Sequence, residues 1–198
     1  MTTDAPQGFE TLIERVLAAN ADLVYFSTLS VEQAGNFFRE ARAAGYTGAF
    51  LGNEGIADPA LLEFAGPLLL DGKGMYYTTI VPPASYYPEA IEFIENFETL
   101  YGTTPLVFAA QAYDAAGICL KAIEEASRSR GGEIPTRAEV ASAVRALQDY
   151  TGITGIYNFN KYGDPDPAQY FVFQVTSIDP VVWLQNPLIA SFEMAPPE

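Results

Sequence analysis

The stretch DLVYFSTLSVEQAGNFFREARAAGYTGAFLGNEG, residues 22–55, decides the fold. DLVYF (22–26) is a short apolar, β-prone run bounded by polar residues, the pattern of a strand. Ser30 with Gln33 three residues on forms a capping box that opens a helix over 31–44. The apolar face of that helix is Phe37, Ala41 and Ala44, and Gly45 stops it. GAFLGN (48–53) is the next strand. A strand, a helix and a strand in such close succession imply parallel pairing through a right-handed crossover.

The same alternation extends outward. GFETLIERVLAAN (8–20) places Phe9, Leu12, Ile13, Val16 and Leu17 at helical spacing. Asp58 followed by Pro59 supplies an N-cap and a proline at the first position of a short helix through ALLEFAG. KGMYYTTIV (73–81) is a third strand, closed by VPP. YYPEAIEFIENFETLYG (86–102) is an amphipathic helix with Ile91, Ile94, Phe97 and Tyr101 on one side. LVFAAQAYDAAGICLKAIEEA (106–126) is a longer helix whose stripe is Phe108, Ala112, Ala116, Cys119 and Ile123. Thr136 with Glu139 forms a second capping box for a helix to Leu147. GIYNFN (155–160) and QYFVFQVTS (169–177) are strands across the turn-rich KYGDPDPA, and VVWLQNPLIASFEMAPPE carries no decisive pattern. The expected class is α/β with a parallel doubly wound sheet. Such a sheet binds ligands at the carboxyl ends of its strands, where STLS follows DLVYF and GNEG follows GAFL.

Composition narrows the function. The chain has 198 residues, enough for one sizeable domain or two small ones, and 49% of them are apolar. A net charge of −15 disfavours nucleic acid and anionic membrane surfaces; it serves solubility or an acidic docking face for a basic partner. The one cysteine, Cys119, permits no internal disulfide and is expected to be a buried small hydrophobe. With no histidine, Ser–His, Cys–His and histidine-based zinc sites are excluded within this chain. No apolar run approaches the roughly 20 residues of a membrane span, and MTTDAPQGFETLIERV is not a signal peptide.

Few motifs carry chemistry. There is no P-loop or dinucleotide fingerprint, and DGKG (71–74) precedes a strand, so it is a turn and no cofactor is expected. GDPDP (163–167) lacks the further oxygen donors of a calcium loop and is also a turn, so no metal is expected. Glu54 stands apart. It is a carboxylate at a strand's carboxyl end, between Gly52 and Gly55, which permit close approach of other atoms. It can accept hydrogen bonds from a ligand ammonium group, act as a general base, or cap a helix, and the residues alone leave these open.

ANADLVYF, a polar loop, FFREARAAGYTGAFLGNEGIADPALLEFAG, then GTTPLVFAAQAYDAAGICLKAIEEA, TGITGIYNFNKYGDP and QYFVFQV follow in that order. The series, over roughly residues 5–178, resembles the branched-chain amino-acid-type periplasmic binding proteins, the type I solute-binding components of ABC transporters. The resemblance implies two α/β lobes closing on a ligand, here incomplete, with the first lobe largely missing. Residues 1–81 correspond to part of the second lobe, 82–165 to helices and a strand of the first, and 166–198 to a return strand and tail. Glu54 matches the acidic residue that meets an amino acid's ammonium group, and Asn53 is its neighbour in GNEG. Ser27, Thr28 and Leu29 fall in the loop lining the family's cleft, and Phe108 falls where a residue packs on the ligand side chain. The loop carries no aromatic residue, and its hydroxyls suggest a ligand more polar than a purely branched-chain one.

The implied role is binding of a small polar solute, most often an amino acid, with a membrane permease as partner, in a periplasmic or extracellular location and without enzymatic turnover. A ligand sensor of the same fold and a non-binding fragment are the alternatives. Helix faces that the missing lobe would cover are expected to be exposed or to self-associate.

Overall fold

The computed structural model describes residues 8–195, so the N-terminal stretch 1–7 and the tail 196–198 lie outside the described residues. In chain order the elements are α1 (Glu10–Ala18), β1 (Leu23–Phe26), α2 (Val31–Ala43), β2 (Ala49–Gly52), α3 (Leu61–Ala65), β3 (Met75–Thr79), α4 (Ile91–Tyr101), α5 (Ala109–Ser129), α6 (Arg137–Ala146), β4 (Tyr150–Thr151), β5 (Ile156–Tyr157), β6 (Ala168–Val175) and β7 (Leu188–Met194), with short 3₁₀ turns between them. They form two compact units. Among the described residues, one comprises those up to Thr79 with Phe171–Ser191, and the other comprises Ile80–Tyr170 with 192–195.

The first unit is built on a five-stranded sheet in the order β1-β2-β3-β6-β7. β1, β2 and β3 are parallel, as the alternation of strands and helices requires, but β6 runs antiparallel to β3, pairing Thr79 with Phe171 and Met75 with Val175. The parallel expectation is thus corrected at that strand. The previously unreadable C-terminal stretch supplies a 3₁₀ helix, Pro180–Gln185, and β7.

Aromatic packing dominates this unit's core. Phe37, Phe38 and Phe50 are fully buried, Phe26 stacks on Phe37 at 4.6 Å, and Phe38 lies 4.4 Å from Phe50. Ala44, read as part of the α2 face, is exposed instead, and the buried face runs through Ala34, Phe37, Phe38 and Ala41 to Arg42. The Arg42 guanidinium lies 4.3 Å from the Phe50 ring centre and donates to the carbonyls of Tyr46 (2.8 Å) and Gly48 (2.7 Å). Burial pushes its pKa down, yet these bonds hold the cation inside the fold. Further along the same core, Tyr77 stacks on Trp183 at 5.3 Å, and burial raises the Tyr77 phenol to about 12.

The second unit has a thinner core. Its buried cluster is Ala84, Ala90 and Ala110, with Tyr87, Phe93, Ile94 and Ile153 packed against it. Neither α4 nor α6 contains a fully buried residue, and Ile91 and Tyr101 on the apolar side of α4 are exposed. On α5 the expected stripe is corrected. The buried positions are Ala110, Asp114, Ile118, Ala122 and Ala126, whereas Phe108 and Ile123 are exposed. Cys119 is exposed too, contrary to its reading as a buried hydrophobe. The buried Asp114 carboxylate accepts the backbone N–H groups of Ile153 and Thr154 at 2.8 Å each and the Thr154 hydroxyl at 2.5 Å. It ties α5 to the turn between β4 and β5, which pair antiparallel.

The capping box at Thr136 is present in full. The Glu139 carboxylate accepts the Thr136 N–H at 2.7 Å and is bonded by Arg130 at 2.8 Å. The Thr136 bonds, then Arg130, hold the Glu139 carboxyl down at about 2, against an ordinary 4.5. A depressed carboxyl pKa contributes stability that is complete above the ordinary value and is lost as pH falls through the folded one. An NMR titration of the Glu139 carboxyl is therefore expected to show a midpoint of about 2, with exchange of the first α6 amides rising only below pH 4.5. A midpoint at the ordinary value would contradict the box.

Candidate functional site

The carboxyl ends of the parallel strands β1, β2 and β3 define one edge of the first unit's sheet. After β1 comes the loop Ser27–Ser30. Ser30 caps α2 by accepting the Gln33 N–H at 3.2 Å. The reciprocal half of the expected capping box is absent. The Ser30 N–H is taken by Thr28 Oγ1 at 3.1 Å, and the Gln33 side chain accepts the Thr28 hydroxyl at 3.4 Å. The Thr28 hydroxyl, which suggested a polar ligand, is therefore engaged within the loop. Ser27 is exposed, and Leu29 is the loop's most outward side chain, 89% exposed.

After β2 the chain turns sharply. Asn53 precedes a 3₁₀ turn, Glu54–Ile56, closed by the Ile56 N–H on the Asn53 carbonyl (3.2 Å) and the Ala57 N–H on the Glu54 carbonyl (3.0 Å). Ile56 is fully buried, and its side chain folds back over Gly52, where a Cβ would collide with it. Burying this isoleucine anchors the turn and leaves Glu54, half-buried, at the sheet edge. The expected helix start at Pro59 shifts: α3 begins at Leu61, and Asp58 caps the preceding turn through the Ala60 N–H at 2.7 Å.

The two loops are joined. Asn53 Oδ1 accepts the Thr28 N–H at 3.1 Å, and Gly55 lies against the backbone of Thr28 and Leu29. Ser27, Thr28, Leu29, Asn53 and Glu54 thus share one edge. Phe108 lies in the second unit, where it opens α5 with φ 73° and is half-exposed. The close approach expected at Gly55 is that of the Thr28–Leu29 backbone, and the sequence reading missed Thr78, whose hydroxyl donates to the Gly52 carbonyl at 3.3 Å beside the GNEG turn. The paired threonines ending β3 were the available signal. Among the described residues no group of histidine, cysteine and carboxylate side chains is arranged to hold a metal, and no helix is long and apolar enough to cross a membrane.

A half-buried carboxylate beside exposed polar and aliphatic side chains, on loops fixed to each other, can hold a small cationic group. The family model described as periplasmic binding protein matches residues 2–178. The Leu/Ile/Val-binding protein homolog 2 of Brucella abortus is 27% identical over 166 residues, covering 84% of this chain and 42% of that protein. The crystal structure of the leucine-binding protein LivK from Thermotoga maritima superposes with a TM-score of 0.75 at 26% identity, covering 94% of this chain and 49% of that one. A solute-binding protein of an ABC transporter from R. palustris, solved with benzoate, shares the fold with a TM-score of 0.66 at 18% identity, over all of this chain and 50% of that one. The chain spans about half the length of the proteins it matches.

Proposed function

Because the chain belongs to the periplasmic binding protein family, we propose that it takes part in binding an amino acid for uptake by an ABC transporter, with Glu54 accepting the ligand's ammonium group. The relatives named for leucine, isoleucine and valine support the ligand class. The observation that carries the assignment is the placement of Glu54. A buried isoleucine and a bonded neighbouring loop fix it at the carboxyl end of a parallel strand, where open α/β sheets take their ligands. An ammonium group leaving water needs a paired charge, and this carboxylate supplies one. Ser27 and Leu29 flank it as further contacts. A membrane permease is the partner in this reading, and the periplasm its location.

A thermal-shift panel tests the ligand class, using the common amino acids, their amides, their 2-keto acids and benzoate. Binding to the folded chain raises its stability by mass action, about 2.7 kcal/mol at a hundredfold excess over Kd. The expected result is a shift with amino acids and none with the matching keto acids. A shift with keto acids or benzoate alone would overturn the ammonium reading.

A further inference from the structure

The edge carries a second layer of organisation. The loop after β1 has no regular structure of its own, yet three features fix it. Asn53 Oδ1 accepts the Thr28 N–H at 3.1 Å across 25 residues of chain. Thr28 Oγ1 in turn accepts the Ser30 N–H at 3.1 Å and donates to Gln33 at 3.4 Å, so the loop is braced onto the first turn of α2. The third feature is steric. A Cβ at Gly55 would overlap the Thr28 carbonyl oxygen and lie 2.9 Å from Leu29 Cδ2 and 3.1 Å from Leu29 Cα. Only a residue without a side chain lets the GNEG turn lie this close to the loop.

We propose that Asn53 and Gly55 are positioning residues: they clamp the 27–30 loop onto the turn that carries Glu54, fixing the separation of Leu29 and Ser27 from the carboxylate without themselves touching the ligand. This rests on the reading of the edge as the ligand site. Asn53, a candidate ligand contact as the neighbour of Glu54 in GNEG, acts here through Thr28. A loop already held in its bound geometry does not lose conformational freedom on binding, so the clamp acts on affinity by preorganisation. Its own cost is met in the folding of the ligand-free chain.

The test has two arms. In the ligand-free chain, Asn53→Ala is expected to speed amide exchange at Thr28 about tenfold, the worth of one hydrogen bond, while the Phe50 amide in the β2–β3 ladder keeps its protection. In leucine titrations, Asn53→Ala and Gly55→Ala are each expected to weaken binding about tenfold. Asn53→Asp keeps an acceptor for the Thr28 N–H but loses the amide donor, and is expected to rescue affinity to within about threefold of the parent. Unchanged Thr28 exchange in Asn53→Ala would overturn the clamp. Equal losses in Asn53→Asp and Asn53→Ala would overturn it too, because the amide would then be touching the ligand. A parent chain that binds no amino acid contradicts the ligand reading alone, and the exchange arm still decides whether Asn53 holds the loop.

Discussion

Glu54→Gln is expected to lower amino-acid affinity by about 100-fold or more while leaving the ligand-free melting temperature within about 2 °C of the parent. Glutamine keeps the shape and one acceptor oxygen but removes the charge. An ammonium group drawn out of water then meets only a neutral amide, and truncating one partner of a desolvated charge pair costs about 2–5 kcal/mol. The turn that holds residue 54 is held by backbone bonds from Ile56 and Ala57 and by the burial of Ile56, which the substitution leaves in place. Calorimetric titration separates the two quantities. An unchanged Kd would remove Glu54 from the site, and a large fall in melting temperature would make it a structural residue.

Asp114→Ala carries the second large expected effect, a loss of about 3–4 kcal/mol from the second unit. The carboxylate is 1% exposed and takes two backbone N–H groups and one hydroxyl. Hydrogen bonds to a charged group contribute about 1.5–3 kcal/mol each, less than additively where they share one acceptor, and deleting it leaves the buried Thr154 N–H unpaired while the Thr154 hydroxyl keeps its bond to Tyr157. The effect falls on the turn at Ile153 and Thr154, which is otherwise held by the packing of Ile153 against the second unit's small alanine core. Amide exchange at those two residues is expected to quicken at least 100-fold, with Asp114→Asn intermediate because it retains one acceptor oxygen. Protection unchanged from the parent would show that packing, not the carboxylate, holds the turn.

The β1–α2–β2 segment was legible because its signals agree: a β-prone run, a serine cap, a helical apolar face and a glycine stop. The position of the GNEG turn followed from the rule for parallel strands. Other features were not legible, each for a physical reason. A strand's alternation does not encode its direction, so nothing in QYFVFQVTS announced that β6 returns antiparallel. On α5 two stripes of small residues run at the same spacing, and the buried one contains an aspartate. An ionised residue reads as solvent-facing until its partners, which lie some 40 residues further along the chain, are seen. The Thr28 hydroxyl was read as free for a ligand because the bonds that engage it depend on the loop's exact path. Family resemblance supplied what pattern could not, namely the expectation that the carboxylate in GNEG meets a ligand's ammonium group, the role proposed for it above.

The exposed sides of α4 and α5 agree with a chain that spans about half the length of its relatives. They also set the condition for the functional test: binding must be measured on the chain as it stands, with its oligomeric state recorded alongside.

The measurement that tests the central claim most directly is a calorimetric titration of this chain with leucine and, separately, with its 2-keto acid, in which a carbonyl oxygen replaces the ammonium group. An ammonium anchored by Glu54 predicts saturable binding of leucine and a keto-acid affinity at least about 100-fold weaker, a gap that closes in Glu54→Gln. Equal affinity for the two ligands, or a gap that persists in Glu54→Gln, would contradict it.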